Sequence, residues 1–164
     1  MKAIHIIGRK NSGKTTLIVE LIQHFSAQGM KVGSIKHTHH RHELDVPGKD
    51  SFRHREAGAN PVAILSPGMT AVFRPNPSGD AADGYGWIES LFNDCELVLV
   101  EGNSATTQTK LEVWREAIGT EPMAIQDFGI AAVISDDAPV VRQPVWGRNN
   151  ISTLADRILN LARD

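Results

Sequence analysis

Short unbroken apolar runs alternate along this chain with stretches whose apolar residues return every three or four positions. That alternation predicts an α/β architecture. Residues 3–7 form a buried-strand pattern that stops at Gly8. Over residues 14–28, Leu17, Ile18, Leu21, Ile22 and Phe25 share one helical face, and Gly29 supplies the stop. Residues 30–36 predict a second strand. Residues 50–57 predict a short helix capped by Asp50 or Ser51 and ended by Gly58. Strand patterns at 62–66 and 70–73 flank Pro67-Gly68, which predicts a hairpin or a tight connection. Residues 75–86 read as loop and 87–92 as helix. The runs at 97–100 and 130–134 are apolar throughout, as expected of strands covered on both faces. Residues 151–162 place Ile151, Leu154, Ala155, Ile158 and Leu161 on one face behind Asn150 or Ser152 as cap. No linker interrupts the series. The expected fold is a single domain over residues 1–164, a mostly parallel sheet with helices on both faces.

Charge narrows the function. Seventeen Lys and Arg against nineteen Asp and Glu leave a formal charge of -2 over 164 residues. That balance argues against a general binder of nucleic acid or acidic membrane, which needs excess basic charge. A lone cysteine, Cys95, fits a reducing compartment and a structural role. The first residues are too short an apolar run for a signal peptide, and no stretch is long enough to span a bilayer. A soluble cytoplasmic domain is the expectation.

The strongest local signal is Gly8-Arg9-Lys10-Asn11-Ser12-Gly13-Lys14-Thr15, followed by Thr16, set between a predicted strand and a predicted helix. This is the G-x-x-x-x-G-K-[ST] pattern of a phosphate-binding P-loop. Gly8 and Gly13 let the backbone curl so that successive amides point inward, and the following helix adds its positive N-terminus. Lys14 supplies a charge for the β- and γ-phosphates, and Thr15 a hydroxyl for a magnesium ion bridging them. Arg9 and Lys10 add charge for phosphate contact, in cis or across a dimer interface, unless they face solvent. The loop also calls for a carboxylate at the end of a neighbouring buried strand. Leu97-Val98-Leu99-Val100-Glu101-Gly102 supplies Glu101, a candidate to hold metal or orient water.

Five of the seven histidines fall between His37 and His54. Three readings stand for the segment carrying His37, His39, His40, His42, Asp45, Asp50 and Arg53. It can be a nucleotide-responsive switch loop with Asp45 as a second carboxylate, a transition-metal site, or a polar solvated loop. Trp87, Trp114 and Trp146 are dispersed and read as core or interface residues.

These residues resemble the MobB-type family, molybdopterin-guanine dinucleotide biosynthesis protein B. The resemblance is carried by Gly8 to Thr16, by Lys36-His37-Thr38-His39-His40, by the run from Asp45 to Ser51, by Arg53 to Ala59, and by Leu97 to Gly102. It implies a P-loop GTPase fold binding GTP with Mg2+, slow hydrolysis and a homodimer. It also implies service to a molybdopterin guanylyltransferase-type enzyme, with molybdopterin as a candidate ligand. Gly13, Lys14, Thr15 and Thr16 match the family's phosphate positions, Asp45 its switch acid and Glu101 its acid before glycine. Lys110, Glu112, Val113 and Arg115 match later positions. Asn103-Ser104 and Thr109 depart from the family's usual aromatic, lysine and proline. No full guanine-reading Asn/Thr-Lys-x-Asp motif is present. Asp136, after the strand at 130–134, is the candidate acceptor for guanine. A GTP-dependent metallochaperone and a nucleotide-bound adaptor without needed hydrolysis are the alternatives.

Overall fold

The structure is a computed structural model describing residues 2–162. Within the single-domain frame expected over residues 1–164, the chain forms two compact units, Met1–His37 with Glu89–Asp164, and Thr38–Ile88.

The first unit is built on a six-stranded parallel sheet in the order β2-β5-β1-β6-β7-β8. The strands are β1 (Ala3–Ile7), β2 (Val32–Lys36), β5 (Leu97–Glu101), β6 (Lys110–Val113), β7 (Ile130–Ile134) and β8 (Val145–Trp146). Helices α1 (Lys14–Ala27) and α4 (Ile151–Leu161) pack together on one face. They bury Leu17, Leu21, Phe25, Leu154 and Ile158 against Ile4, Ile6, Leu97, Leu99, Leu111 and Ile134. The opposite face gathers Ile7, Ile130 and Val133 with Ala124 of the 3-10 turn Met123–Ile125. The expected fold class is the one observed, with α-helices on one face and a 3-10 turn on the other.

Several boundaries moved for local reasons. β2 starts at Val32 because α1 closes through Gly29 (φ 80), with the amides of Gly29 and Met30 donating to the carbonyls of Ser26 and Phe25. α4 is capped by Asn150, whose side chain accepts from the Thr153 amide. The helix expected at 87–92 is α3 (Gly84–Ile88) followed by a 3-10 turn at Glu89–Phe92. Strands β6 and β8 carried no legible strand pattern. β8 is two residues long, and β6 interleaves Leu111 and Val113 with buried Lys110 and Glu112.

Those two charges are held by their own loops. Lys110 Nζ donates to the carbonyls of Ser104 and Thr106 and pairs with Asp127 at 2.6 Å. The Glu112 carboxylate accepts the amides of Met123 at 2.7 Å and Ala124 at 2.9 Å. Burial still pushes the Glu112 carboxyl above its ordinary pKa, with these two bonds opposing the shift.

The second unit contains α2 (Asp50–Glu56), the antiparallel hairpin β3 (Val62–Leu65) and β4 (Thr70–Phe73), and α3. In α2 the capping position falls on Lys49 rather than Asp50 or Ser51, and Ser51 instead turns its hydroxyl onto Asp45 at 2.9 Å. Gly58 ends the helix as expected, at φ 102 with its amide on the Arg55 carbonyl.

Candidate functional site

The loop from Gly8 to Gly13 runs from the carboxyl end of β1 into α1. Both glycines sit at positive φ, 141° and 99°, as the tight curl demands. At Gly8 an added Cβ would drive into the Val113 carbonyl of β6, so the loop lies close against the neighbouring strand. Gly13 is also the cap position of α1, and no side chain caps the helix there. The first amides of α1 therefore remain available for an anion. Ser12 is buried, and its hydroxyl has no hydrogen-bond partner among the described residues.

Because β1 lies between β5 and β6, the loop has two different flanks. On the β5 flank the Thr15 hydroxyl donates to Glu101 Oε1 at 2.9 Å, and Lys36 Nζ lies 3.9 Å from the same oxygen. Gly102 follows at φ 92, where an added Cβ would come within 2.7 Å of the His37 carbonyl. The chain could not turn there with a larger residue. Lys14 Nζ donates to the carbonyls of Gly8 at 2.9 Å and Arg9 at 2.8 Å. Desolvation lowers the Lys14 pKa from its ordinary value, Glu101 opposes that shift, and Lys36 adds to it. A hydroxyl and a carboxylate oxygen are the hard donors that Mg2+ takes, so this pair fits that ion.

On the β6 flank stand two arginines. Arg115, just past β6, donates to the Asn11 carbonyl. Arg148, between β8 and α4, donates to the Gly13 carbonyl at 3.3 Å and pairs with Glu20 at 3.0 Å. Both line, with Lys14, Thr15, Thr16 and Glu101, one open cleft of about 770 Å3. That volume suits a nucleotide-sized ligand.

The expected site residues divide between the units. Gly8, Arg9, Lys10, Asn11, Ser12, Gly13, Lys14, Thr15, Thr16, His37, Glu101 and Asp136 lie in the first, and Lys10 and Asn11 also line the cleft. Asp136 is exposed, and its Oδ1 accepts the amides of Arg148 at 2.6 Å and Asn149 at 3.0 Å. His39, His40, Asp45, Asp50 and Arg53 lie in the second unit. Asp45 is buried there, with Oδ1 accepting from the Val46 amide and the Ser51 hydroxyl while Oδ2 has no hydrogen-bond partner among the described residues. Asp50 and Arg53 are exposed on α2, as are His39 and His40 on the preceding segment. Among the described residues, no three His, Cys, Asp or Glu side chains form a group able to hold a metal ion. No described helix is long and apolar enough to cross a membrane.

Arg148 was not foreseen from the sequence. It lies 135 residues from its Gly13 partner, and nothing local distinguishes it. Arg115 was visible only through the resemblance.

A parallel sheet carrying this loop at the end of its central strand defines the P-loop NTPase-like α/β class. The comparisons narrow the class to a family. The profile of Molybdopterin guanine dinucleotide synthesis protein B (MobB) matches residues 3–136. The molybdopterin-guanine dinucleotide biosynthesis adapter protein of Escherichia coli (strain K12) is 32% identical over 151 residues, covering 90% of this chain and 86% of that protein. Its namesake in Haemophilus influenzae is 32% identical over 157 residues, with coverage of 94% and 86%. A solved molybdopterin-guanine biosynthesis protein B superposes with a TM-score of 0.73 at 27% identity, covering 99% of each chain. The MobB homolog of Bacillus stearothermophilus gives 0.68 at 22% identity, again over 99% of each chain, and so shows the shared fold. The chain belongs to the MobB family.

Proposed function

We infer that this protein is a GTP-binding adapter in molybdopterin guanine dinucleotide biosynthesis. It works in the cytoplasm as a homodimer beside a guanylyltransferase-type enzyme, with molybdopterin as a candidate ligand. The family supports the role. The observation that carries the nucleotide reading is the 2.9 Å bond from Thr15 to Glu101 across two strand ends, next to Lys14. It brings an oxygen donor from the phosphate loop to the acid of the adjacent strand, as a Mg2+-triphosphate site requires.

In this reading the amides at the start of α1 bind phosphate oxygens. Lys14 leaves the Gly8 and Arg9 carbonyls to neutralise the β- and γ-phosphates. Thr15 and Glu101 hold Mg2+, which supplies charge neutralisation on the phosphates. Glu101 also orients a water beside them, and Asp45 is the proposed second acid of the switch segment. His37, His39, His40, Asp50 and Arg53 respond to the nucleotide or contact substrate. Hydrolysis is slow because both cleft arginines are held on carbonyls of the phosphate loop, those of Asn11 and Gly13, and neither stands free as a catalytic finger.

The test is calorimetric titration of the full chain with GTP and with ATP, each with Mg2+. Saturable binding is expected, weakened roughly a hundredfold or more in Lys14→Ala, because a charge-assisted contact of about 3 kcal/mol is removed. Absence of heat with every nucleoside triphosphate overturns the reading.

A further inference from the structure

The two flanks of the phosphate loop offer opposite chemistry. The β5 flank presents oxygen donors for metal, Thr15 and Glu101. A triphosphate whose metal-bearing end lies there directs its nucleoside toward the β6 flank, because β1 and its loop separate the two. The residues lining the cleft from that flank include Arg115 and Arg148. The acids nearby each have one oxygen engaged. Asp136 Oδ1 holds the amides of Arg148 and Asn149, and Asp137 Oδ2 accepts the Glu116 amide at 2.7 Å. Neither Asp136 nor Asp137 lines the cleft. The nucleoside side therefore presents guanidinium donors from Arg115 and Arg148.

That chemistry discriminates purines. Guanine carries two acceptors, O6 and N7, on one edge, and an arginine fork meets both at once. Adenine puts an amino donor where guanine has O6, so the same fork faces a donor. The two arginines are not equivalent. Arg148 is committed to Glu20 and to the Gly13 carbonyl. Arg115 is exposed and spends one N–H on the Asn11 carbonyl, with no ion pair to any described residue. Four of its five guanidinium protons remain.

We propose that Arg115 is the specificity-determining residue of the cleft, reading guanine through O6 and N7, while Arg148 is a positioning residue that holds the loop and its flank in register. The assignment rests on the reading of the cleft as a nucleoside triphosphate site.

Inosine triphosphate separates this arrangement from recognition by a carboxylate, since it keeps O6 and N7 but lacks the 2-amino group. The full chain is titrated with GTP, ITP, ATP and inorganic tripolyphosphate, all with Mg2+. GTP and ITP are expected to bind within about threefold of each other, and ATP roughly tenfold or more weaker. In Arg115→Ala the GTP-to-ATP ratio falls to near one. The ratio is the readout because loosening of the loop affects both nucleotides alike. Arg115→Lys restores only part of it, since a single ammonium lacks the fork. GTP favoured over ITP by tenfold or more, with the ratio unmoved in Arg115→Ala, overturns the proposal and transfers recognition to a carboxylate such as Asp136. Tripolyphosphate binding with equal GTP and ATP affinities overturns the specificity assignment alone. No binding of tripolyphosphate or of any nucleotide overturns the nucleotide reading and this assignment with it.

Discussion

The unit of Met1–His37 with Glu89–Asp164 and the unit of Thr38–Ile88 are stabilised by different means. The first closes a continuous apolar layer, in which Ile4, Leu17, Leu99, Leu111 and Ile158 are fully buried. The second buries only Asp45, Ser51 and Val62, two of them polar, and leaves Leu44 80%, Leu65 79% and Met69 74% exposed. Its internal order leans on local bonds: Glu43 pairs with Arg55 at 2.6 Å, and Ser51 and the Val46 amide hold Asp45. The phosphate loop thus sits on rigid strands, whereas the histidine-bearing segment sits on an element with little hydrophobic work to hold it. Sites needing fixed geometry belong on the former, and segments that reorganise are drawn from the latter.

The comparison can be broken at its strongest point. Phe25→Ala in α1 removes a side chain that is 1% exposed, and is expected to cost about 4 kcal/mol of unfolding free energy in urea. Val62→Ala, in the core-poor unit, should cost roughly 1–2 kcal/mol. Equal losses would show that the second unit has a core of comparable weight.

Native-state hydrogen exchange sharpens the same contrast. Amides of β1 and β5 should open only near global unfolding. Those bonding β3 to β4 should open locally, with protection lower by about 2 kcal/mol or more. Uniform protection across both sheets would contradict the division.

Ser51→Ala probes the polar centre of the second unit. Loss of its bond leaves the buried Asp45 Oδ1 with the Val46 amide alone, and about 1 kcal/mol should disappear. A urea midpoint unchanged from the parent chain would mean that this bond does not hold the unit.

The smallest effect concerns His5, buried in β1 on the sheet face away from α1 and α4. Burial lowers its pKa from the ordinary 6.5, with His37 and Lys110 pushing the same way and Gln108 and the Gly102 backbone opposing. The unfolded chain therefore binds a proton that the folded chain resists. Stability rises as pH climbs from the folded pKa toward 6.5 and levels above it. In His5→Asn this rise should shrink, by less than about 1.4 kcal/mol per pH unit, when midpoints are compared across that window. An identical slope in both proteins would show that His5 does not contribute.

What the sequence makes legible is local. β1, the loop and α1 follow one another in sequence, so the glycines, Lys14 and Thr15 declare themselves through spacing. Glu101 was legible because Leu97 to Val100 announce a buried strand before it. β6 was not, because strand recognition relies on apolar faces, and here Lys110 and Glu112 are buried by bonding to the loops on either side of the strand.

The sequence by itself determined that a phosphate loop joins a buried strand to a helix, and that an acid ends another buried strand. Those features depend on neighbours a few residues apart. Only the tertiary structure decided that β5 and β6 flank β1, and hence that Glu101 and Arg115 stand on opposite sides of the same loop. Strand order is set by how the apolar faces pack across the whole sheet, and no spacing along the chain encodes it. Arg148 reaches Gly13 across 135 residues for the same reason.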